Sequence, residues 1–283
     1  MKHPSLMNDV IFKIVFANEQ NGETVRPVLN AVLGLTTSRK ISKVTILNPF
    51  DRKEFLEDKG VVLDIRAQDA KGDLYNIEVQ VQSQQAYRAR SLYYLARTYS
   101  GQLQAGQGYD ELMRTIGISF LEFKLFPKLD TLHTRFRFYD QEHRVELTDL
   151  LEIHYLELPK FKGDEPRALK TSLEKWLHAF RFGGRYENLK DLPTELKEEE
   201  GIMMALDAMH RAYARDDVRE LIEAREKAER DEITRRNYAR KQGLRQGVKQ
   251  GVEQVARRMK ARGCSVDEIF EFTGLRAEDL ADE

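Results

Sequence analysis

The chain has 283 residues, of which 41% are hydrophobic and 33% charged, and its 46 Lys and Arg nearly balance its 47 Asp and Glu. This balance excludes a protein that binds nucleic acid through bulk positive charge, although it leaves room for a local basic face. Cys264 is the single cysteine, which excludes an intramolecular disulfide framework and a multi-cysteine zinc site. No apolar run approaches the roughly 18 residues of a membrane helix. We therefore expect a cytoplasmic protein with no membrane partner and about two domains.

The first 165 residues combine helix and strand signals. Apolar residues recur at helical spacing from Asn8 to Leu35, with Gly22 as a break, and again from Tyr87 to Gly106. Period-two alternation and apolar runs predict strands around Val44 to Leu47, Val61 to Gln68, Leu74 to Gln82, Thr115 to Phe126, His133 to Tyr139 and Ile153 to Leu158. The pattern predicts an α/β core over residues 1–165.

From about Arg167 onward, nearly every segment predicts helix. Trp176 lies on an apolar helical stripe and is expected in the core. A long charged helix is expected from about Thr194 to Met259, with a break around Asp216. We divide this part into a helical region, residues 166–262, and a short segment shaped like a helix-turn-helix, residues 263–283. That last segment contains seven acidic residues and one Arg, and this negative charge argues against entry of the segment into a DNA groove.

One hairpin concentrates the residues that can carry chemistry. Its loop, Ala70-Lys71-Gly72, suits a type I turn followed by a left-handed glycine. With this loop, facing residues have numbers that sum to 142, so the apolar residues of both strands share one face. The same register places Asp64 opposite Glu78 on the other face, and Gln80 points the same way two residues later.

Two carboxylates that face each other repel, and a divalent cation bound between them cancels this repulsion. Mg²⁺ takes a few carboxylate oxygens and keeps several waters, which leaves room for a phosphate and an attacking hydroxide. Asp64 and Glu78 are therefore the candidate metal ligands, with Mg²⁺ or Mn²⁺ as the cofactor. The alternative interpretation is the polar, solvated face of an ordinary hairpin.

Five segments form an ordered pattern along the chain: Asn8-Asp9-Val-Ile-Phe12-Lys13-Ile-Val-Phe16, Leu63-Asp64-Ile65, Tyr75-Asn76-Ile77-Glu78-Val79-Gln80, Arg90-Ser-Leu-Tyr93-Tyr94, and the C-terminal glycine repeat followed by Ser265 to Leu275. This pattern resembles the recombination-promoting nuclease / putative transposase family of the PD-(D/E)xK nuclease superfamily. The resemblance spans nearly the whole chain. It implies a restriction-endonuclease-like core, with a mixed sheet flanked by helices, and Mg²⁺-dependent cleavage of DNA.

By position, the resemblance makes Asp64 and Glu78 the metal ligands and places Gln80 where the superfamily has a lysine. Gln80 can orient water by hydrogen bonding, but it cannot supply a positive charge to a pentavalent phosphate. Leu63 stands in place of the proline of the superfamily's first motif.

The first helix offers a third acid, Asp9, because superfamily members often place an acid there. The alternative is that Asp9 or Asn8 caps this helix. Lys13 lies four residues further on the same helix face, where it contacts phosphate or pairs with Asp9.

Residues 235–262, here called the basic arm, carry ten basic side chains against one acid. Four of them are the candidates for DNA contacts: Arg245, Lys249, Arg257 and Arg258. The alternative is a solvated helix face. Glycines at every fourth position, Gly243, Gly247 and Gly251, permit a close approach of two helices, or else mark a flexible linker. We expect a homodimer held by this helical region.

The sequence thus predicts a Mg²⁺-dependent DNA endonuclease with Asp64, Glu78, Gln80 and Asp9 at its site. Its setting, whether recombination, mobile-element maintenance or defence, is left open. The missing lysine motivates the alternative, a DNA-binding or partner-binding protein whose nuclease fold no longer cuts. A transposase of the three-carboxylate type needs a third acid near the pair, and the short hairpin spacing fits it poorly.

Overall fold

The computed structural model describes residues 5–17, 22–48, 65–83 and 86–276. The chain divides into two compact units, Met1–Arg219 and Glu220–Glu283. The domain boundary expected after residue 165 lies inside the first unit, and it stays a prediction.

A six-stranded mixed sheet forms the centre of the first unit. Its strands are β1 (Val44–Ile46), β2 (Ile65–Asp69), β3 (Leu74–Gln80), β4 (Thr115–Leu121), β5 (His133–Asp140) and β6 (Val145–Glu157). Their order across the sheet is β1-β2-β3-β4-β6-β5. The pairs β3–β4 and β4–β6 are parallel, and the others are antiparallel.

Helices cover both faces of this sheet. Those of the first unit are α1 (Asp9–Phe16), α2 (Gly22–Leu33), α3 (Tyr87–Ser100), α4 (Ser172–Phe182), α5 (Thr194–Lys197) and α6 (Ile202–Ala214). The α/β fold with a restriction-endonuclease-like core is confirmed, as is the expectation that a helical part follows it within the described residues.

The β2–β3 hairpin has the predicted register. Ile65 pairs with Ile77 and Ala67 with Tyr75. Gly72 has a φ of +97°, the left-handed conformation that the loop requires of a glycine. Asp64 precedes the first described residue of β2, so its pairing with Glu78 lies outside the described residues and stays a prediction.

The face of the sheet opposite to Glu78 carries the main core. Side chains alternate between the two faces along a strand, so Phe120 points to this side and its neighbour Ser119 to the other. Phe120 stacks on Phe180 of α4 with ring centroids 4.4 Å apart, and Phe16 of α1 stacks on the same ring at 5.7 Å. Trp176 is 1% exposed, which confirms its predicted place in the core.

A buried carboxylate, Glu152 of β6, lies on this same face. His154 Nε2 approaches its Oε1 at 2.6 Å, and Arg137 Nε donates to its Oε2 at 2.7 Å. Arg114 also donates to Oε2, at 2.5 Å. Burial alone would raise the pKa of Glu152, but the hydrogen bonds from His154, Arg114 and Arg137 outweigh burial and hold the pKa at about 2. This cluster ties β4, β5 and β6 together and is not part of the predicted site.

The last two helices are α7 (Asp216–Ala261) and α8 (Val266–Thr273). The predicted break near Asp216 is confirmed, because α6 ends at Ala214. The expectation of one helix from Thr194 to this break is wrong, because α5 ends at Lys197 and α6 begins only at Ile202, after Gly201 with a φ of +83°. Ser265 caps α8, accepting a hydrogen bond from the Glu268 amide at 3.3 Å, as the sequence predicts. Among the helices that the structure describes, none combines the length and the apolar character needed to cross a membrane.

Candidate active site

Strand β3 presents Glu78 and Gln80 to helix α3. The β3–α3–β4 connection joins two parallel strands, and such a crossover places its helix on one face of the sheet. Asn76 donates to Thr98 of α3 at 2.8 Å, which shows that α3 covers this face. Glu78 and Gln80 alternate with the buried Ile77 and Val79, so they point to the same side as Asn76.

The carboxylate of Glu78 is buried and held by two hydroxyl groups. Glu78 is 8% exposed. Its Oε1 accepts a hydrogen bond from the hydroxyl of Tyr87, at the start of α3, and another from Ser119 Oγ at 3.1 Å. Within the described residues Oε2 accepts none. Glu78 is therefore oriented through one oxygen, while the other can bind a cation.

Tyr87 is a permanent donor to this carboxylate. Burial raises the pKa of Tyr87 far above its usual value, and the adjacent charge of Glu78 raises it further. The ring of Tyr87 packs edge to face on Tyr155, with centroids 6.3 Å apart. Tyr155 in turn hydrogen-bonds Ser91 of α3, with an O–O distance of 2.6 Å. These contacts fix the position of Tyr87 and, through it, the carboxylate of Glu78.

The space behind Glu78 is small. A cavity of about 20 Å³ is lined by Asn76, Glu78, Ser91 and Ser119, among others. This volume suits about one water molecule. A substrate therefore has no room on this side of the carboxylate.

Gln80 is engaged through both polar groups of its side chain. Arg90 Nη2 of α3 donates to Gln80 Oε1 at 2.8 Å, and Gln80 Nε2 donates to the carbonyl oxygen of Gln82 at 3.3 Å. The guanidinium carbon of Arg90 lies 5.0 Å from the centroid of the Tyr87 ring. Gln80 thus brings a cation close to the residues that surround Glu78.

The first helix, α1, carries Asp9 and Lys13. Asn8 is the N-cap of α1, because its side chain accepts from the Ile11 amide at 3.1 Å. Asp9 Oδ1 accepts from the amide of Val10 at 2.8 Å. Helix α1 packs on the sheet face opposite to Glu78, so a role for Asp9 or Lys13 at the site requires them to act around the end of the strands. Both roles stay predictions.

The four basic candidates of the arm are exposed on α7: Arg245, Lys249, Arg257 and Arg258. They belong to the second unit, whereas Glu78 belongs to the first. Lys249 lies 3.7 Å from Glu253, the acid of the arm. Their contact with DNA stays a prediction.

Three residues of the site were not predicted from the sequence. Tyr87 begins α3 and reaches back to β3, a contact that depends on how the crossover packs. Ser119 is a polar residue in the middle of a buried and mainly apolar strand, and this was the signal that could have revealed it. Arg90 belongs to the motif behind the family resemblance, but it had no assigned role. Over the described ranges, no group of three or more His, Cys, Asp or Glu side chains could hold a metal ion.

Comparisons with known proteins agree with this architecture. A scan against protein-family models matched residues 6–239 to the PD-(D/E)XK nuclease family transposase. Searches of curated proteins and of solved structures found no significant match. The matched span includes the whole sheet, Glu78 and the crossover helix, and the chain belongs to the PD-(D/E)XK nuclease family transposases.

Proposed function

We propose that the protein is a Mg²⁺-dependent DNA endonuclease that hydrolyses phosphodiester bonds. Membership of the family supports a nuclease-like or transposase-like role. The observation that carries the finer proposal is the buried carboxylate of Glu78, which two hydroxyls hold by one oxygen. Burying a charged carboxylate is costly unless it is paired with an opposite charge. A cation bound at Oε2 would offset this cost.

The residues present fit a divalent cation. Hard cations prefer carboxylate oxygens. The hairpin register pairs Ile65 with Ile77, and the same register continued by one residue would bring Asp64 opposite Glu78. A bound Mg²⁺ supplies a Lewis acid for the phosphate and lowers the pKa of a coordinated water. Tyr87 and Ser119 orient Glu78. Gln80 accepts a hydrogen bond from Arg90, whose guanidinium lies beside the Tyr87 ring. Mn²⁺ is the proposed substitute metal.

Nicking of supercoiled plasmid DNA by the full chain tests the proposal. We expect nicking with Mg²⁺, none after addition of EDTA, and none from Asp64→Ala. Cleavage by Asp64→Ala at the parental rate would show that Asp64 is not a metal ligand. Salt-sensitive DNA binding by the parent without any nicking would favour the alternative, a nuclease fold that binds DNA but does not cut it. The lack of a charge on Gln80 is the observation that favours this alternative.

We also propose a homodimer through the arm, in a protein located in the cytoplasm. The glycine stripe on α7 is open: a Cβ added at Gly243, Gly247 or Gly251 meets no atom within 4 Å. The apolar side chains beside it, Leu244 and Val248, are 67% and 59% exposed. A second copy of the same stripe would cover both.

Light scattering tests the dimer. We expect the full chain at twice the 33.0 kDa of one chain, and the compact unit Met1–Arg219 as a monomer. A shorter fragment ending at residue 190 is unsuitable, because it lacks α6, which packs against α1. A monomeric full chain, or a dimeric Met1–Arg219 fragment, would contradict the proposal.

Replacing Tyr87 with Phe tests whether its hydrogen bond to Glu78 positions that carboxylate for the reaction. We expect a loss of about 10- to 100-fold in the Mg²⁺-dependent nicking rate, since partners of metal ligands have effects of this order. The control is Tyr75→Phe on β3, the strand that carries Glu78; the Tyr75 hydroxyl donates to Asp69 Oδ2 at 3.0 Å. Both variants should lose about 1.5–3 kcal/mol in urea unfolding, because each loses a hydrogen bond to a carboxylate. Equal nicking rates for the two variants would show that Tyr87 has only a structural role.

A further inference from the structure

An exposed aromatic side chain lies on the Glu78 side of the sheet, in the edge strand β5. Phe136 pairs with Ile153, so it shares a face with Tyr155, two residues further along β6. Its ring packs edge to face on Tyr155 with centroids 5.9 Å apart, and 41% of the residue is exposed. Tyr155 also packs on Tyr87, whose hydroxyl donates to Glu78. Phe136 is therefore two ring contacts away from a residue that orients Glu78.

A cation lies close to this ring. Phe126, in the loop after β4, packs on Phe136 with centroids 5.3 Å apart, and the guanidinium carbon of Arg88 lies 5.7 Å from the Phe126 centroid. Arg88 is exposed and directly follows Tyr87 in α3. Its guanidinium makes no hydrogen bond or ion pair with the residues that the structure describes. Contact with an aromatic ring positions a guanidinium without using its N–H donors. We call Arg88, Phe126 and Phe136 the aromatic edge.

The aromatic edge is within reach of a DNA strand bound at Glu78. Two strands, β4 and β6, separate β3 from β5, so Glu78 and Phe136 lie about 14 Å apart across the sheet at the usual strand spacing. One strand of stacked DNA covers this distance with about four nucleotides. A strand with one phosphate at Glu78 can therefore place a nearby nucleotide against Phe136.

We propose that the aromatic edge binds an unpaired nucleotide of the DNA substrate, with its base stacked on Phe136 and its phosphate bonded to Arg88. This inference rests on the proposed endonuclease function and specifies its substrate class, DNA that contains a single-stranded segment. The phenyl ring has no hydrogen-bonding group, so it can neither bond a phosphate nor read the edge of a base pair. Bases in a duplex are stacked on their neighbours, whereas an unpaired base can stack on an aromatic side chain.

The charge of the aromatic edge favours DNA over an apolar protein partner. An apolar surface that covered Phe136 would also bury the guanidinium of Arg88 without an opposite charge, and this burial is costly. A phosphate supplies that charge, and its oxygens match the N–H donors of a guanidinium. A nucleotide thus satisfies both the ring and the cation, because it combines an aromatic base with a phosphate.

Fluorescence anisotropy of the full chain in EDTA tests the inference, because binding is then measured without Mg²⁺-dependent cleavage. The probes are a labelled single strand of about 16 nucleotides and the duplex of the same sequence. We expect Phe136→Leu to weaken binding of the single strand about tenfold, the order of one lost base–aromatic stack, and binding of the duplex less than about twofold. Phe136→Tyr keeps the aromatic ring and should bind both probes like the parent. Arg88→Gln should lower the salt dependence of single-strand binding by about 0.7 in the slope of log affinity against log salt.

The matched control is Tyr109→Ala, which removes another exposed aromatic ring. Tyr109 is 85% exposed and precedes β4, whereas Phe126 follows β4, so the two lie beyond opposite ends of this strand. We expect this variant to bind the single strand within about twofold of the parent. An effect of Tyr109→Ala equal to that of Phe136→Leu would show that any exposed ring contributes, and the inference would be wrong.

Urea unfolding of each variant separates stacking from folding, since a purely structural role of Phe136 predicts that binding of both probes falls together with stability. If the parent nicks DNA and Phe136→Leu binds the single strand as tightly as the parent, the inference is wrong while the proposed function stands. Equal losses for the single strand and the duplex would also contradict it, because the surface would then not distinguish unpaired bases. A parent that binds neither probe overturns this inference, and the nicking assay with Mg²⁺ then decides the proposed function separately.

Discussion

Replacing Glu78 with Gln is expected to lower Mg²⁺-dependent DNA cleavage by about 1,000-fold, or about 4 kcal/mol of activation free energy. Gln keeps the size of the side chain and an oxygen that accepts from Tyr87 and Ser119, so the hydrogen bonds to Oε1 can persist. What it removes is the negative charge at the second oxygen. The nicking rate measured over a range of Mg²⁺ concentrations checks this expectation.

The control for this variant is Glu198→Gln, which removes one carboxylate from an exposed position after α5. It should cleave like the parent, because exposed side chains away from the site change the folded state little. Retention of more than about a tenth of parental activity by Glu78→Gln would show that a metal ion does not depend on this carboxylate.

Changing Arg245, Lys249, Arg257 and Arg258 together to Gln is expected to weaken DNA binding about 100-fold at moderate salt. Each phosphate contact contributes about one unit to the slope of log affinity against log salt, so this slope should fall by up to about 4. The reason is the release of counterions from DNA by the basic arm. Fluorescence anisotropy with a labelled duplex at several salt concentrations measures both quantities.

A second variant changes four exposed basic residues of the first unit to Gln: Lys128, Lys162, Arg167 and Lys170. It removes the same amount of positive charge, so it separates a local arm from an effect of net charge. We expect a fall in affinity below about threefold for this variant. If both variants lose affinity and salt dependence equally, the arm has no special part in DNA binding.

Local rules of sequence predicted the hairpin that carries the site. The loop needed a residue with left-handed backbone conformation, and Gly72 adopts it with a φ of +97°. The alternation of apolar residues then fixed the register, since a shift by one residue would expose Ile65 and Ile77. In the same way, the apolar stripe around Trp176 predicted a buried helix face, and Trp176 is 1% exposed.

Other features depended on contacts between distant segments. β6 begins at Val145, eight residues before the predicted start at Ile153. Its first half pairs with β5 in an exposed part of the sheet, where polar residues give no apolar periodicity. The contacts of Tyr87 with Glu78 and of Arg90 with Gln80 arise because α3 folds back over β3, and no spacing in the sequence encodes that packing.

We propose that Asp64 and Glu78 together bind a divalent cation, and calorimetric titration of the full chain with Mn²⁺ measures this binding. We expect a saturable binding heat for the parent and its loss in both Asp64→Asn and Glu78→Gln, with urea unfolding midpoints that show both variants are folded. Binding of Mn²⁺ by the two folded variants with the affinity of the parent would contradict the claim.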